Sequence, residues 1–238
     1  METTVLPGMT VSEAMPETRA AYLRKVMGLT VLGLFLSALV GVASMFAIAT
    51  FPGLLSGYGP MLIILGCWAL TNFVARPMVF GQAKWGGFLL GTVAQGVSLG
   101  FLLLVAVVVS KADTGNPFTL IGTALVATIF TGVGLAFYAA SEKHEFSLLR
   151  AGLSALFIPM LILMAVSFAF PNLLNGPLGI AASALFVLIS AAGLLYQLNA
   201  VIHNFTPDME MEGAYIITIG VLVLFWNILS LLLRLRRR

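Results

Sequence analysis

Apolar residues in this chain come in long unbroken blocks, and the polar residues sit between the blocks rather than alternating within them. A helix that crosses about 30 Å of hydrocarbon at 1.5 Å per residue needs about 20 mainly apolar residues. That ruler predicts seven spans: Val26–Thr50, Pro60–Val74, Gly86–Ser110, Pro117–Ala140, Leu149–Phe170, Pro177–Ile202 and Ala214–Leu233. Breakers separate them: Phe51-Pro52-Gly53, Arg76-Pro77, the run Asp113 to Pro117, Ser141 to Glu145, Pro171 with Gly176-Pro177, and Thr206-Pro207-Asp208. The connections are short, as in a compact bundle. The expectation is therefore all-α: a polar N-terminal tail (1–25), one seven-transmembrane-helix bundle (26–233) and a basic C-terminal tail (234–238).

Composition agrees. The chain is 60% hydrophobic and 9% charged, where a soluble domain carries about 25% charged residues. A net charge of +3 is too small and too scattered for a nucleic-acid-binding surface. The lone Cys67 can form no internal disulfide. Ala47-Ile48-Ala49 resembles a signal-peptidase site, but the apolar stretch before it exceeds a signal h-region of about 7–15 residues. It reads as a retained first helix in a lipid bilayer. Lysine and arginine in the short loops set orientation. Arg19, Arg24, Lys25, Arg76, Lys84, Lys143 and Arg150 fall on the side of the N-terminus, against Lys111 across the membrane. The N-terminus is therefore expected in the cytoplasm. An odd number of spans puts Arg234, Arg236, Arg237 and Arg238 on the far side, against that rule. Either the early helices dominate, or one late segment is re-entrant.

Every Asp, Glu, Lys and Arg between Val26 and Leu233 lies in a loop or at a span end. Proton relays and transporters mark themselves by ionisable residues inside the membrane, so neither is expected. Gly96-Val97-Ser98-Leu99-Gly100 matches a nucleophile-elbow string, yet it lies inside the third span, where no strand-to-helix turn forms. Two separated histidines and one cysteine make no zinc site. No enzyme constellation, metal site or cofactor is expected.

The polar side chains within spans are amides and hydroxyls. Gln95, Gln197 and Asn227 are read as lining a polar core, with Gln197 preferred to Asn199 because the two point about 200° apart on one helix. Gly91, Gly96 and Gly100 read as a helix-packing stripe. His203 at the end of the sixth span is a candidate pH-responsive group. Asp208, Glu210 and Glu212 read as a solvated acidic loop, with a divalent-cation contact as the sharper alternative.

The C-terminal segments carry a resemblance. Ser190 to His203 is a small-residue run ending in Tyr196-Gln197, and Leu224 to Leu232 closes on Asn227-Ile228-Leu229. Together with the charged stretch Ala139 to Leu149 and the glycine-rich third span, they resemble the Bax inhibitor-1/YccA family. The resemblance implies a seven-helix bundle with the last helix central, and a link to stress and cell-death control. It also implies either a pH-sensitive calcium leak or, in the YccA branch, binding to a membrane-anchored AAA-type protease. The resemblance implies that the calcium pathway uses one carboxylate on each of the last two helices, and this chain has Gln197 at the first of those places and Leu224 or a neighbour at the second. An amide and a leucine neither titrate nor hold a hard cation. The expectation is therefore a non-enzymatic stress modulator acting through a membrane partner, with a calcium or cation leak as the alternative. The tail, polar and broken by Pro7 and Pro16, is expected to be the reaching segment, removable at no loss of stability.

Overall fold

The computed structural model describes residues 9–55, 57–141, 153, 155 and 176–236. Among these, all regular secondary structure is helical. Six helices are long and apolar enough to cross a membrane. We label them α1 (Pro16–Thr50), α2 (Gly59–Val79), α3 (Lys84–Thr114), α4 (Thr119–Ser141), α5 (Pro177–His203) and α6 (Glu210–Arg236). Apart from Leu153 and Ala155, the predicted span Leu149–Phe170 lies outside the described residues, as do the first eight residues and the last two.

Local chemistry sets the helix ends. Pro16 begins α1, where its missing N–H is not needed. Gly115 follows α3 at φ +72° and gives its N–H to the Lys111 carbonyl at 3.1 Å, a left-handed cap that suits glycine. One sequence expectation is corrected: Arg76-Pro77 does not end the second span. Leu70–Ala75 forms a π-helical turn, which shifts the register so that Pro77 enters at the start of the closing α-helical segment Arg76–Val79. A proline is tolerated there because its missing donor has no partner to lose.

Two compact units divide the chain. The first contains Met1–Val105 with Ala200–Leu222. Its core joins Val11, Tyr22, Val26, Ala75, Val79, Phe88, Val201, Met211, Ala214 and Tyr215. The second contains Ala106–Asn199 with Val223–Arg238. It buries Leu120, Ala124, Leu194, Leu224, Leu229 and Leu233, and Arg236 pairs with Asp113 at the C-terminal ends of α6 and α3.

The sorting of side chains is that of a protein solvated by lipid. Along the middle of α1 the inward positions are Thr30, Gly33, Ser37 and Gly41, with the larger Tyr22, Val26 and Ile48 buried toward its ends, while Met27, Val31, Phe35, Leu39, Val42 and Phe46 face outward. Lipid tails are as apolar as leucine, so helices associate by close backbone packing of small residues and large side chains turn out. On α4, Leu125, Val126, Ile129, Phe130 and Val133 face outward in the same way. The chain is an all-helical integral membrane protein.

The N-terminal segment differs from a free tail. Val11 is fully buried, and its N–H donates to the Phe205 carbonyl at 2.8 Å. α1 itself begins at Pro16, within the stretch read as tail.

Candidate functional site

The first unit gathers its charges at the end where α1 and α3 begin, α2 and α5 end, and α6 begins. Glu210 and Glu212 stand in the first turn of α6, where a helix N-terminus favours carboxylates. Two residues apart, they point about 200° from each other, and each meets a different helix. Glu210 accepts from Lys25 of α1 at 2.7 Å in an exposed pair. Glu212 accepts from Lys84 of α3 at 2.7 Å, with its own side chain only 4% exposed and that of Lys84 38% exposed. Its second oxygen, Oε2, is buried and has no hydrogen-bond partner among the described residues. Tyr22 is buried beside this pair and reaches the Met209 carbonyl at 3.5 Å. Asp208 lies in the loop before α6. Hydrogen bonds from the Thr206 side chain and from its own backbone N–H hold its carboxyl below the usual range. Phe80 and Phe205 meet edge to face at 6.3 Å, joining the α2–α3 and α5–α6 loops.

The expectation of a solvated acidic loop is thus corrected at Glu212. A buried carboxylate requires a counter-ion because desolvating it alone is prohibitive, and Lys84, the first residue of α3, supplies it. The sequence held one signal: two carboxylates at i and i+2 on the opening turn of a helix, with lysines at the openings of two other spans.

One turn further into α6, the Tyr215 hydroxyl donates to the Thr71 carbonyl at 2.8 Å. Thr71 lies in the π-helical turn of α2 and donates its own hydroxyl to Cys67 at 2.8 Å. The phenol ring passes directly over Gly91, where a Cβ would come within 2.5 Å of it. Further along α3, a Cβ at Gly96 would meet the Ser37 carbonyl at 2.8 Å, and one at Gly100 would overlap the Ser44 side chain. Ser37 donates to the Thr92 carbonyl at 2.9 Å across the same seam.

Gln95 belongs to the first unit, and Gln197 and Asn227 to the second; all three are half-buried. Gln197 Oε1 is buried without a hydrogen-bond partner among the described residues, and so is Asn199 Nδ2. Asn199 is the more buried of the two. His203 is half-buried at the end of α5, its Nε2 likewise unpartnered. Leu224 is fully buried. The Ser98 hydroxyl donates to the Ala94 carbonyl at 3.2 Å within an uninterrupted helix. Among the described residues, no group of three His, Cys, Asp or Glu side chains is placed to hold a metal ion.

Comparison with known proteins gives a match to a family model described as inhibitor of apoptosis-promoting Bax1, over residues 19–238. An uncharacterized protein of Pseudomonas aeruginosa is 28% identical over 228 residues, covering 94% of this chain and 93% of its own length. An uncharacterized protein of Pasteurella multocida is 31% identical over 181 residues, covering 75% of this chain and 72% of its own.

Proposed function

The chain belongs to the Bax inhibitor-1 family, and on that premise we propose that it is a non-enzymatic modulator of a stress response that acts by contact with membrane partners, a membrane-anchored AAA protease first among them. The observation that carries this reading is that many polar side chains are committed to partners within the protein. Lys25 and Lys84 pair with Glu210 and Glu212 across three helices. The hydroxyls of Thr92, Ser98, Thr128 and Ser183 donate to carbonyls four residues back in their own helices. Groups bound in this way are poor nucleophiles and poor ion ligands. What the molecule offers to others is its outward apolar faces and the charged face of the first unit.

The proposal places the protein in a bacterial inner membrane with the N-terminus in the cytoplasm, supported by the lysine and arginine bias of that side. It includes seven crossings, supported by the apolar run Leu149–Phe170, and a central last helix. The second is supported by the buried series Met211, Ala214, Tyr215, Thr218 and Leu222 in the first unit, continued by Leu224, Ile228, Leu229 and Leu233 in the second. The test is affinity purification of the intact protein from crosslinked membranes. An AAA protease is expected among the captured proteins, and its absence under conditions that capture other membrane partners overturns the reading.

The unpartnered Gln197 Oε1 and Asn199 Nδ2 favour a second reading, a cation leak lined by amides and carbonyl dipoles. Calcium flux into proteoliposomes at pH 6 and pH 8 separates the two. The first reading expects no pH-gated flux, and expects Gln197→Asp with Leu224→Asp to introduce it. A steep rise from pH 8 to pH 6 in the unaltered protein favours the leak.

A further inference from the structure

We propose that residues 10–13 are a detachable strap whose Val11 plugs an apolar socket in the first unit. The turn is stitched to itself. The Glu13 and Ala14 amides donate to the Thr10 carbonyl at 3.1 Å each, and the Thr10 amide donates to Glu13 Oε2 at 3.0 Å. The Thr10 and Ser12 hydroxyls meet at 3.0 Å.

Its attachment is small by comparison. Among the described residues, one hydrogen bond joins the turn to the rest of the first unit, from the Val11 N–H to the Phe205 carbonyl in the α5–α6 loop. One side chain is fully buried, that of Val11, in the cluster that includes Val79, Val201 and Met211. Ser12, Glu13, Met15 and Glu17 are exposed. Met15 is extended (φ −54°, ψ 147°) and precedes Pro16, so the helix cannot run back into the turn. One buried side chain and one main-chain hydrogen bond make a minimal anchor for a surface segment. The occupant of the socket is this chain's own segment, and the sequence Thr10-Val11-Ser12-Glu13 supplies both the knob and its polar flanks. The strap stands apart from the proposed partner and does not rest on it.

The test uses the full chain in nanodiscs with Cys67→Ser, so that Met211→Cys places the sole thiol on the socket floor. Modification by a soluble maleimide is expected to be slow with Val11 in place and about ten-fold faster with Val11→Asp, as for a segment opened locally. A synthetic peptide of residues 9–16 in excess should slow it again, and the same peptide with aspartate at its valine position should not. Val11→Ala, which removes volume without adding charge, should give an intermediate rate and decides the matter if the aspartate variant aggregates. Equal rates with Val11 and Val11→Ala, or a fast variant indifferent to the peptide, would overturn the strap.

Discussion

Lys84 and Glu212 form one ion pair with two unequal ends, so removing one partner should not cost the same as removing the other. The Glu212 side chain is 4% exposed and that of Lys84 38%. Lys84→Met strands a carboxylate that water barely reaches, and stranding a buried charge costs about 3 kcal/mol or more. Glu212→Gln strands an ammonium that can turn into solvent and keep its hydration, a loss of about 1 kcal/mol. The double variant removes both charges and should resemble Glu212→Gln alone, which implies a coupling of roughly 3 kcal/mol. For a chain of this size each kcal/mol moves the midpoint by about 2–4 °C. Thermal unfolding in nanodiscs, followed by tryptophan fluorescence, should therefore show Lys84→Met falling by about 6–12 °C and Glu212→Gln by about 2–4 °C. If Glu212→Gln is the more damaging change, or if the double variant falls by the sum of the singles, Glu212 is hydrated and the pair is a surface contact.

Glycines should separate by what surrounds them. Gly96→Ala puts a methyl within 2.8 Å of the Ser37 carbonyl and should cost about 1–3 kcal/mol in the same melt; Gly132→Ala, with nothing within 4 Å, should be neutral or raise the midpoint. Tyr215→Phe removes the 2.8 Å hydrogen bond to the π-helical turn and should cost about 1 kcal/mol, whereas Gly91→Ala collides with the ring itself and should cost more. Hydrogen bonds from Thr10 hold the Glu13 carboxyl below its usual 4.5. A depressed carboxylate stabilises the turn above that value and loses its contribution as pH falls through the lowered pKa. Hydrogen exchange at the Val11 amide, normalised to its intrinsic rate at each pH, should therefore quicken in acid below pH 4.5, and Glu13→Gln should remove the acid step.

Why some of this could be read from sequence and some could not follows from what each feature depends on. Spans depend on twenty-residue averages, and six of the described helices lie where apolar runs predict them. The end of α2 depends on one turn of backbone. Arg76-Pro77 signals a stop only if the preceding helix keeps its 3.6-residue register, and the π-helical turn at Leu70–Ala75 does not. Glu212 and Val11 depend on residues distant in the chain. Nothing local distinguishes Glu212, buried against Lys84, from Glu210, exposed against Lys25. A single valine among threonine, serine and glutamate carries no periodicity at all.

The deeper obstacle is that hydrophobic patterning loses its meaning when the solvent is as apolar as the core. In water, Phe35 and Phe46 would mark the inner face of α1 and Ser37 the outer. Here both phenylalanines face outward, while Ser37 is buried and donates to α3 at 2.9 Å. Size replaces polarity as the signal: the buried series Thr30, Gly33, Ser37 and Gly41 is the small-residue edge of α1. Gly96 and Gly100 stand opposite it on α3, where no Cβ fits. In such a chain, the placement of glycine and serine carries the packing information that leucine carries in a soluble protein. Charges then become exceptions that must be settled pair by pair, and Glu212, facing Lys84, stands in the more buried of the first unit's two described ion pairs.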